Sequence, residues 1–181
     1  MPSDIKPVAV IVGATSKYDN CVGPTELAPS MRWGLGGALS QRFAKDYAVV
    51  AMGRRLERMA LLVDEIRRQG GEATPIACDV TNEASVHAAF AQAALVGSIE
   101  VMVFNVAPPY PPGATFANMP APHEVDPAVL QSGFDVGVTG CLRCVRAVIG
   151  PLLAAGRGTI LLTGATQALR GGAAFACMSP I

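Results

Sequence analysis

Charge, aromatic residues and lysine are all scarce in this chain. Only 15% of its 181 residues are charged, 6% are aromatic, and the formal net charge is zero. Soluble domains average about 25% charged residues. A low, balanced charge excludes a basic face for nucleic acid and supplies no acidic or basic tail. The 51% hydrophobic content excludes a disordered chain. No uninterrupted apolar run approaches the roughly 20 residues that cross a bilayer. Residues 1–6 carry no basic stretch ahead of an apolar core, so no signal peptide is expected. These absences predict a globular cytoplasmic protein that engages neither nucleic acid nor membrane. The five cysteines (Cys21, Cys78, Cys141, Cys144 and Cys177) are odd in number and scattered, which argues against a disulfide scaffold. Cys141 and Cys144 form a CxxC inside the helix-patterned stretch 130–153, without a second pair or a histidine at zinc spacing. They read as small apolar helix residues, and no metal site is expected.

What is present is an alternation of two periods. The run from Pro7 to Gly13 is continuously apolar and ends in glycine, as a strand buried on both faces of a parallel sheet does. Leu35, Ala38, Leu39 and Phe43 then recur at helical spacing and predict an apolar stripe on a helix over 35–46. Residues 47–52 read as a second strand. Leu56, Met59, Ala60, Val63 and Ile66 make a second amphipathic helix, stopped by Gly70 and Gly71. A third strand is predicted over 74–78. A third helix carries Val86, Ala89, Phe90 and Ala93, with Thr81 or Asn82 as its cap. A fourth strand follows over 99–104, a long helix over about 128–155, and a fifth strand over 159–163. Strands alternating with helices predict an α/β fold, a doubly wound parallel sheet of Rossmann type with right-handed crossovers. The length suits a single domain over 1–181. Seven prolines between Pro108 and Pro127 exclude helix and central strand there. The stiffened loop 107–127 follows strand four, where it would wall or cover the ligand crevice of such a sheet.

A glycine-rich turn between the first strand and its helix is what a pyrophosphate requires, because glycine lets the backbone approach and the helix N-terminus offers N–H groups. Here the pieces are separated. Gly13, Ala14, Thr15 and Ser16 end the strand, Gly34, Leu35 and Gly36 open the helix, and residues 17–33 lie between as an inserted loop. With the insertion excised, the text becomes Gly-Ala-Thr-Ser-Gly-Leu-Gly. That resembles the glycine turn of the short-chain dehydrogenase/reductase family, and other landmarks follow in the family's order. Cys78-Asp79-Val80 is similar to the stretch whose acid touches the adenine ring, Asn105-Val106-Ala107 to the stretch that ends strand four and supports the sheet, and Gly158–Gly164 to strand five. The resemblance spans residues 7–181, with the family's last strands absent from the chain. It implies hydride transfer between a nicotinamide cofactor and a carbonyl or alcohol, here a small apolar one. It also implies pairing of subunits, either as a homo-oligomer or with a partner chain covering the strand-five edge. The acid that NAD-selective relatives carry after strand two is replaced by Gly53, followed by Arg54 and Arg55. A guanidinium pairs with a 2′-phosphate in forked geometry, so NADP(H) is favoured over NAD(H).

The resemblance also implies a catalytic Tyr, a Lys four places later that lowers its pKa, a Ser, and an Asn on the preceding helix. Tyr18, Tyr47 and Tyr110 are followed four places on by Val22, Ala51 and Ala114, and the lysines are Lys6, Lys17 and Lys45. By register, the Ser position falls on Ala165, the Tyr position on Met178, the Asn position on Gly137, and the Lys position one residue beyond Ile181. Proton transfer requires some group to take their place. The substitutes are Thr163 and Thr166 for the lost hydroxyl, and Tyr110 or His123 on the proline-rich loop for the proton. Three readings follow: an oxidoreductase with impaired or no turnover, a non-catalytic NADP(H)-binding module or partner subunit, and a truncated remnant.

Overall fold

Apolar runs and amphipathic stripes in strict alternation give one parallel sheet with helices on both faces. The computed structural model describes residues 6–15, 33–108, 110–114, 118–165 and 169. Its elements are β1 (Val8–Val12), α1 (Gly34–Phe43), β2 (Ala48–Gly53), α2 (Leu56–Arg68), β3 (Glu72–Ala77), α3 (Glu83–Val96), β4 (Ile99–Phe104), a 3₁₀ turn (Pro122–Glu124), α4 (Pro127–Phe134), a π-helical segment (Asp135–Thr139), α5 (Gly140–Ala155) and β5 (Thr159–Leu162). The strand order is β3-β2-β1-β4-β5, and every pairing is parallel. The doubly wound Rossmann-type fold is therefore as the sequence predicts. β1 lies at the centre and is buried throughout, which accounts for its unbroken apolar text.

Two cores flank the sheet. On one face Val10, Val50, Met52 and Met102 meet Val86, Ala89, Phe90 and Ala93 of α3 and Cys144, Val148 and Leu152 of α5. On the other, Ile11, Val49, Ala51 and Val103 meet Trp33 and Ala44 beside α1 and Met59, Leu62, Val63 and Ile66 of α2. The α3 face is the one its spacing predicts.

Three expectations need correction. The stripe on α1 holds only in its second half: Leu39 and Phe43 pack partly buried against the core, whereas Leu35 is 57% exposed and the fully buried positions are Gly36, Gly37 and Ser40. Small residues let this helix come close to the end of β1, and that closeness outweighs burial of a leucine. On α2, Leu56 stands outside at 47% exposure and Leu62 takes the core position. The proline-rich loop does contain helix, because Pro122 opens the 3₁₀ turn and Pro127 sits in the first turn of α4. Proline costs nothing there, where the N–H would lack a partner anyway.

The expected long helix over 128–155 is continuous but not uniform. Its α4 and α5 halves are joined by the π-helical turn. This stretch, Pro127–Ala155, is long and apolar enough to cross a membrane by length and composition alone. It contains no uninterrupted apolar run of that length, because Gln131, Ser132, Asp135, Arg143 and Arg146 interrupt it. Its inner face is committed to the sheet through Cys144, Val148 and Leu152.

Candidate active site: the cleft at the carboxyl ends of β1 and β4

The strand order reverses between β1 and β4, so the loops leaving their carboxyl ends diverge and open a crevice. A cleft of about 470 Å³ lies there. Its wall contains Gly13 and Thr15 after β1, Gly34, Leu35 and Gly36 at the start of α1, Arg54 and Arg55 after β2, Asp79 and Val80 after β3, and Asn105, Val106 and Ala107 after β4. The structure thus brings together each of the sequence-predicted cofactor positions that it describes. Ser16 lies outside the described residues, as does Thr166.

The two halves of the glycine turn converge across the insertion. Gly13 adopts φ +82°, which side-chain-bearing residues rarely take. A Cβ on Gly36 would lie 2.1 Å from the Gly13 carbonyl oxygen and 2.9 Å from the Ala14 carbonyl carbon. Only a hydrogen fits where α1 crosses the turn. Trp33, the one described residue of the insertion, precedes α1, and neither a side-chain cap nor an acid occupies the helix's first turn. By contrast α3 is capped by Asn82, whose Oδ1 accepts from Ser85 N, and α4 by Asp126, which accepts from Ala128 N. The start of α1, with its positive dipole end, faces the cleft through Gly34, Leu35 and Gly36.

Asn105 holds the crevice floor. Its Nδ2 donates to Gly13 O at 3.0 Å, and its Oδ1 accepts from Thr163 Oγ1 at 3.1 Å. One amide therefore links the exits of β1, β4 and β5. Phe104 O, 3.3 Å from Thr163 Oγ1, shares that single hydroxyl proton, so the Thr163 hydroxyl is engaged in this linkage. Asp79 accepts from Thr81 N and Thr81 Oγ1 through a single oxygen, at 3.0 and 2.7 Å. Those hydrogen bonds, chiefly from the Thr81 hydroxyl, hold its carboxyl below the usual carboxylate range, with Arg54 and Arg143 adding attraction. Arg54 and Arg55 are exposed at the rim.

Under this wall Cys78 and Cys144 are buried free thiols. Burial raises Cys78 to about 11, with Asp79 adding repulsion, and raises Cys144 to about 12. They pack as apolar groups. Among the described residues no group of three or more His, Cys, Asp or Glu could hold a metal ion.

Of the proposed proton-handling substitutes, Thr163, Tyr110 and His123 are not among the residues lining the cleft. His123 is exposed in the 3₁₀ turn. Ala165 is exposed just after β5, and Met178 lies outside the described residues. Gly137 falls within the π-helical segment. Sequence reading missed Ser132 and Val136, which line the cleft from α4 and the π-helical segment. Their i, i+4 spacing sets them on one face of the helix expected over about 128–155 and is the only signal the sequence offers for them.

A parallel sheet with a glycine-floored crevice at its switch point is a Rossmann-type nucleotide fold. The family model described as short chain dehydrogenase matches residues 31–179, and the chain belongs to that family. It is 35% identical over 139 residues to the A-factor type gamma-butyrolactone 1'-reductase (1S-forming) of Streptomyces virginiae, covering 75% of this chain and 51% of that protein. A short-chain dehydrogenase structure from Rhodopseudomonas palustris superposes with TM-score 0.73 at 29% identity, covering 96% of this chain and 70% of that one. A variant of actinorhodin polyketide ketoreductase crystallised with NADPH has the same fold, with TM-score 0.77 at 24% identity, over 97% of this chain and 59% of that one. The chain spans about half the length of most of the curated relatives it matches.

Proposed function

We propose that this chain is the NADP(H)-holding domain of a short-chain oxidoreductase, a single unit over 1–181 with an inserted loop at 17–33 and a proline-rich loop at 107–127. The observation that carries the reading is the meeting of Gly13 with Gly36, where a Cβ would come within 2.1 Å of the Gly13 carbonyl. That cradle fits a pyrophosphate: the backbone is bare and α1 presents its uncapped N-terminus. Arg54 and Arg55 at the rim fit a 2′-phosphate, and no carboxylate stands at Gly53 to repel it. Asp79 and Val80 would flank the adenine, and Asn105, Val106 and Ala107 would floor the cleft. Thr15 and Ser16 would add donors beside the phosphates.

When bound, the nicotinamide supplies or accepts a hydride, which suits a small apolar carbonyl or alcohol. This chain's residues bind and orient; none of its tyrosines has a lysine four places on. Turnover by these 181 residues is accordingly impaired or absent in our reading. A second reading, a binding subunit whose partner covers β5, is favoured by Leu161 and Leu162, which are 42% and 62% exposed.

Calorimetric titration with NADPH and NADH tests the proposal. NADPH is expected to bind with Kd near 10 μM, about −7 kcal/mol, and NADH much more weakly. Gly36→Asp should abolish the heat, and replacing Arg54 and Arg55 by alanine should erase the preference. A cooperatively melting sample that gives no heat with either nucleotide would refute cofactor binding.

A further inference from the structure

We infer that Arg143 is a positioning residue that sets one wall of the cleft by tying the loop after β3 to the π-helical segment. Arg143 is not itself among the lining residues. Its Nη1 donates to Val80 O at 3.0 Å and to Asp135 Oδ1 at 2.9 Å. Val80 lines the cleft from the β3 side; Asp135 directly precedes Val136, which lines it from the π-helical side. The guanidinium therefore joins two wall pieces that are far apart in sequence. Its side chain is only 20% exposed, against 40% for Asp135, and a charge-assisted bond in that setting is stronger and less screened than a surface pair.

The surrounding backbone is shaped for this reach. Gly140, the first residue of α5, donates its N–H to Asp135 O and so closes the π turn. A Cβ on Gly140 would lie 2.8 Å from Val80 Cγ2 and 3.2 Å from Asp135 O. Glycine lets the start of α5 approach both partners, and Arg143, three residues on, then spans them. Val80 O lies three residues past the last register pair of β3, Gly53 with Ala77, and the arginine supplies a partner to this carbonyl of a buried residue.

The consequence for affinity rests on the NADP(H) reading, whereas the brace does not. The test compares the unsubstituted chain with Arg143→Met, which keeps the apolar stem and loses the donors, and with Arg143→Lys, which keeps a cationic donor. Asp135→Ala, which leaves only the Val80 bond, guards against a poorly folding methionine variant. Hydrogen exchange without nucleotide reads the amides of 79–82 and 135–140, and calorimetry reads NADPH and 2′,5′-ADP. In Arg143→Met both segments should exchange faster together while β1 and β2 stay protected. Both ligands should bind about tenfold more weakly, with Arg143→Lys recovering most of the loss and Asp135→Ala intermediate. Unchanged exchange in both segments, or a rise spread evenly over the sheet, would overturn the brace. If the unsubstituted chain binds neither ligand, the nucleotide reading fails on its own and exchange alone decides the role of Arg143.

Discussion

A methyl group at position 36 would press on the carbonyl of Gly13 from 2.1 Å, with the Asn105 amide nitrogen 2.8 Å away. The Asn105 amide is a side-chain end, but the Gly13 carbonyl and the Ala14 carbonyl carbon are backbone and leave the methyl no room. Gly36→Ala should therefore cost about 1–3 kcal/mol of stability from overpacking and at least tenfold in nucleotide affinity, read by urea unfolding and calorimetry. Asn105→Ala removes the link between the β1 and β5 exits and should cost about 1–3 kcal/mol, chiefly by stranding the part-buried Gly13 carbonyl. Two acidities give opposite pH limbs. The Asp79 carboxyl is depressed in the folded state, so its contribution is complete above the ordinary carboxylate range near 3.9 and is lost as pH falls through the lower folded value. Asp79→Asn keeps an acceptor for Thr81 and should flatten the acid limb of stability, although screening at this half-exposed site keeps the effect small. The thiols of Cys78 and Cys144 are raised. Their contribution is complete below the ordinary value of 9.0 and declines as pH rises through about 11 and about 12. Cys144→Ala should remove part of the alkaline loss in denaturant titrations between pH 8 and 11.

Among the elements, the strands were the most legible, because burial on both faces leaves no polar alternation to interpret. β1, β2 and β4 coincide with their apolar runs to within two residues, while β3 begins at Glu72, two residues before the expected Thr74. α3 was legible down to its four buried positions. Its cap was left between Thr81 and Asn82; Asn82 fills it, because Thr81 donates its hydroxyl to Asp79. Asn82→Ala should cost about 1 kcal/mol, visible as a lower thermal midpoint with unchanged nucleotide affinity. α1 was misread for a physical reason. Periodicity finds the residues that profit most from burial, whereas this helix buries those that permit the closest approach, and Leu35 is left at the cleft mouth. The π-helical turn carries no residue signature of its own, and Ser132 and Val136, at its approach and within it, show in the sequence only as an i, i+4 pair. The glycine cradle was legible because its halves sit at strand end and helix start, whatever the chain between them does.

At the scale of the whole molecule, both cores share one sheet. Calorimetric and van't Hoff enthalpies of unfolding should therefore agree in a single transition; two resolved transitions would divide the domain. The two margins of that sheet are unequal. β3 carries Pro75, paired with Ala51 on its inner side, and a proline in a strand has no N–H to offer on the outer side. β5 is bordered by β4 on one side only, among the described strands, and shows two leucines to its surroundings. A strand added beside β3 would meet a proline, whereas among the described residues nothing pairs with the far side of β5, so the two margins of the sheet differ in what they offer an incoming backbone.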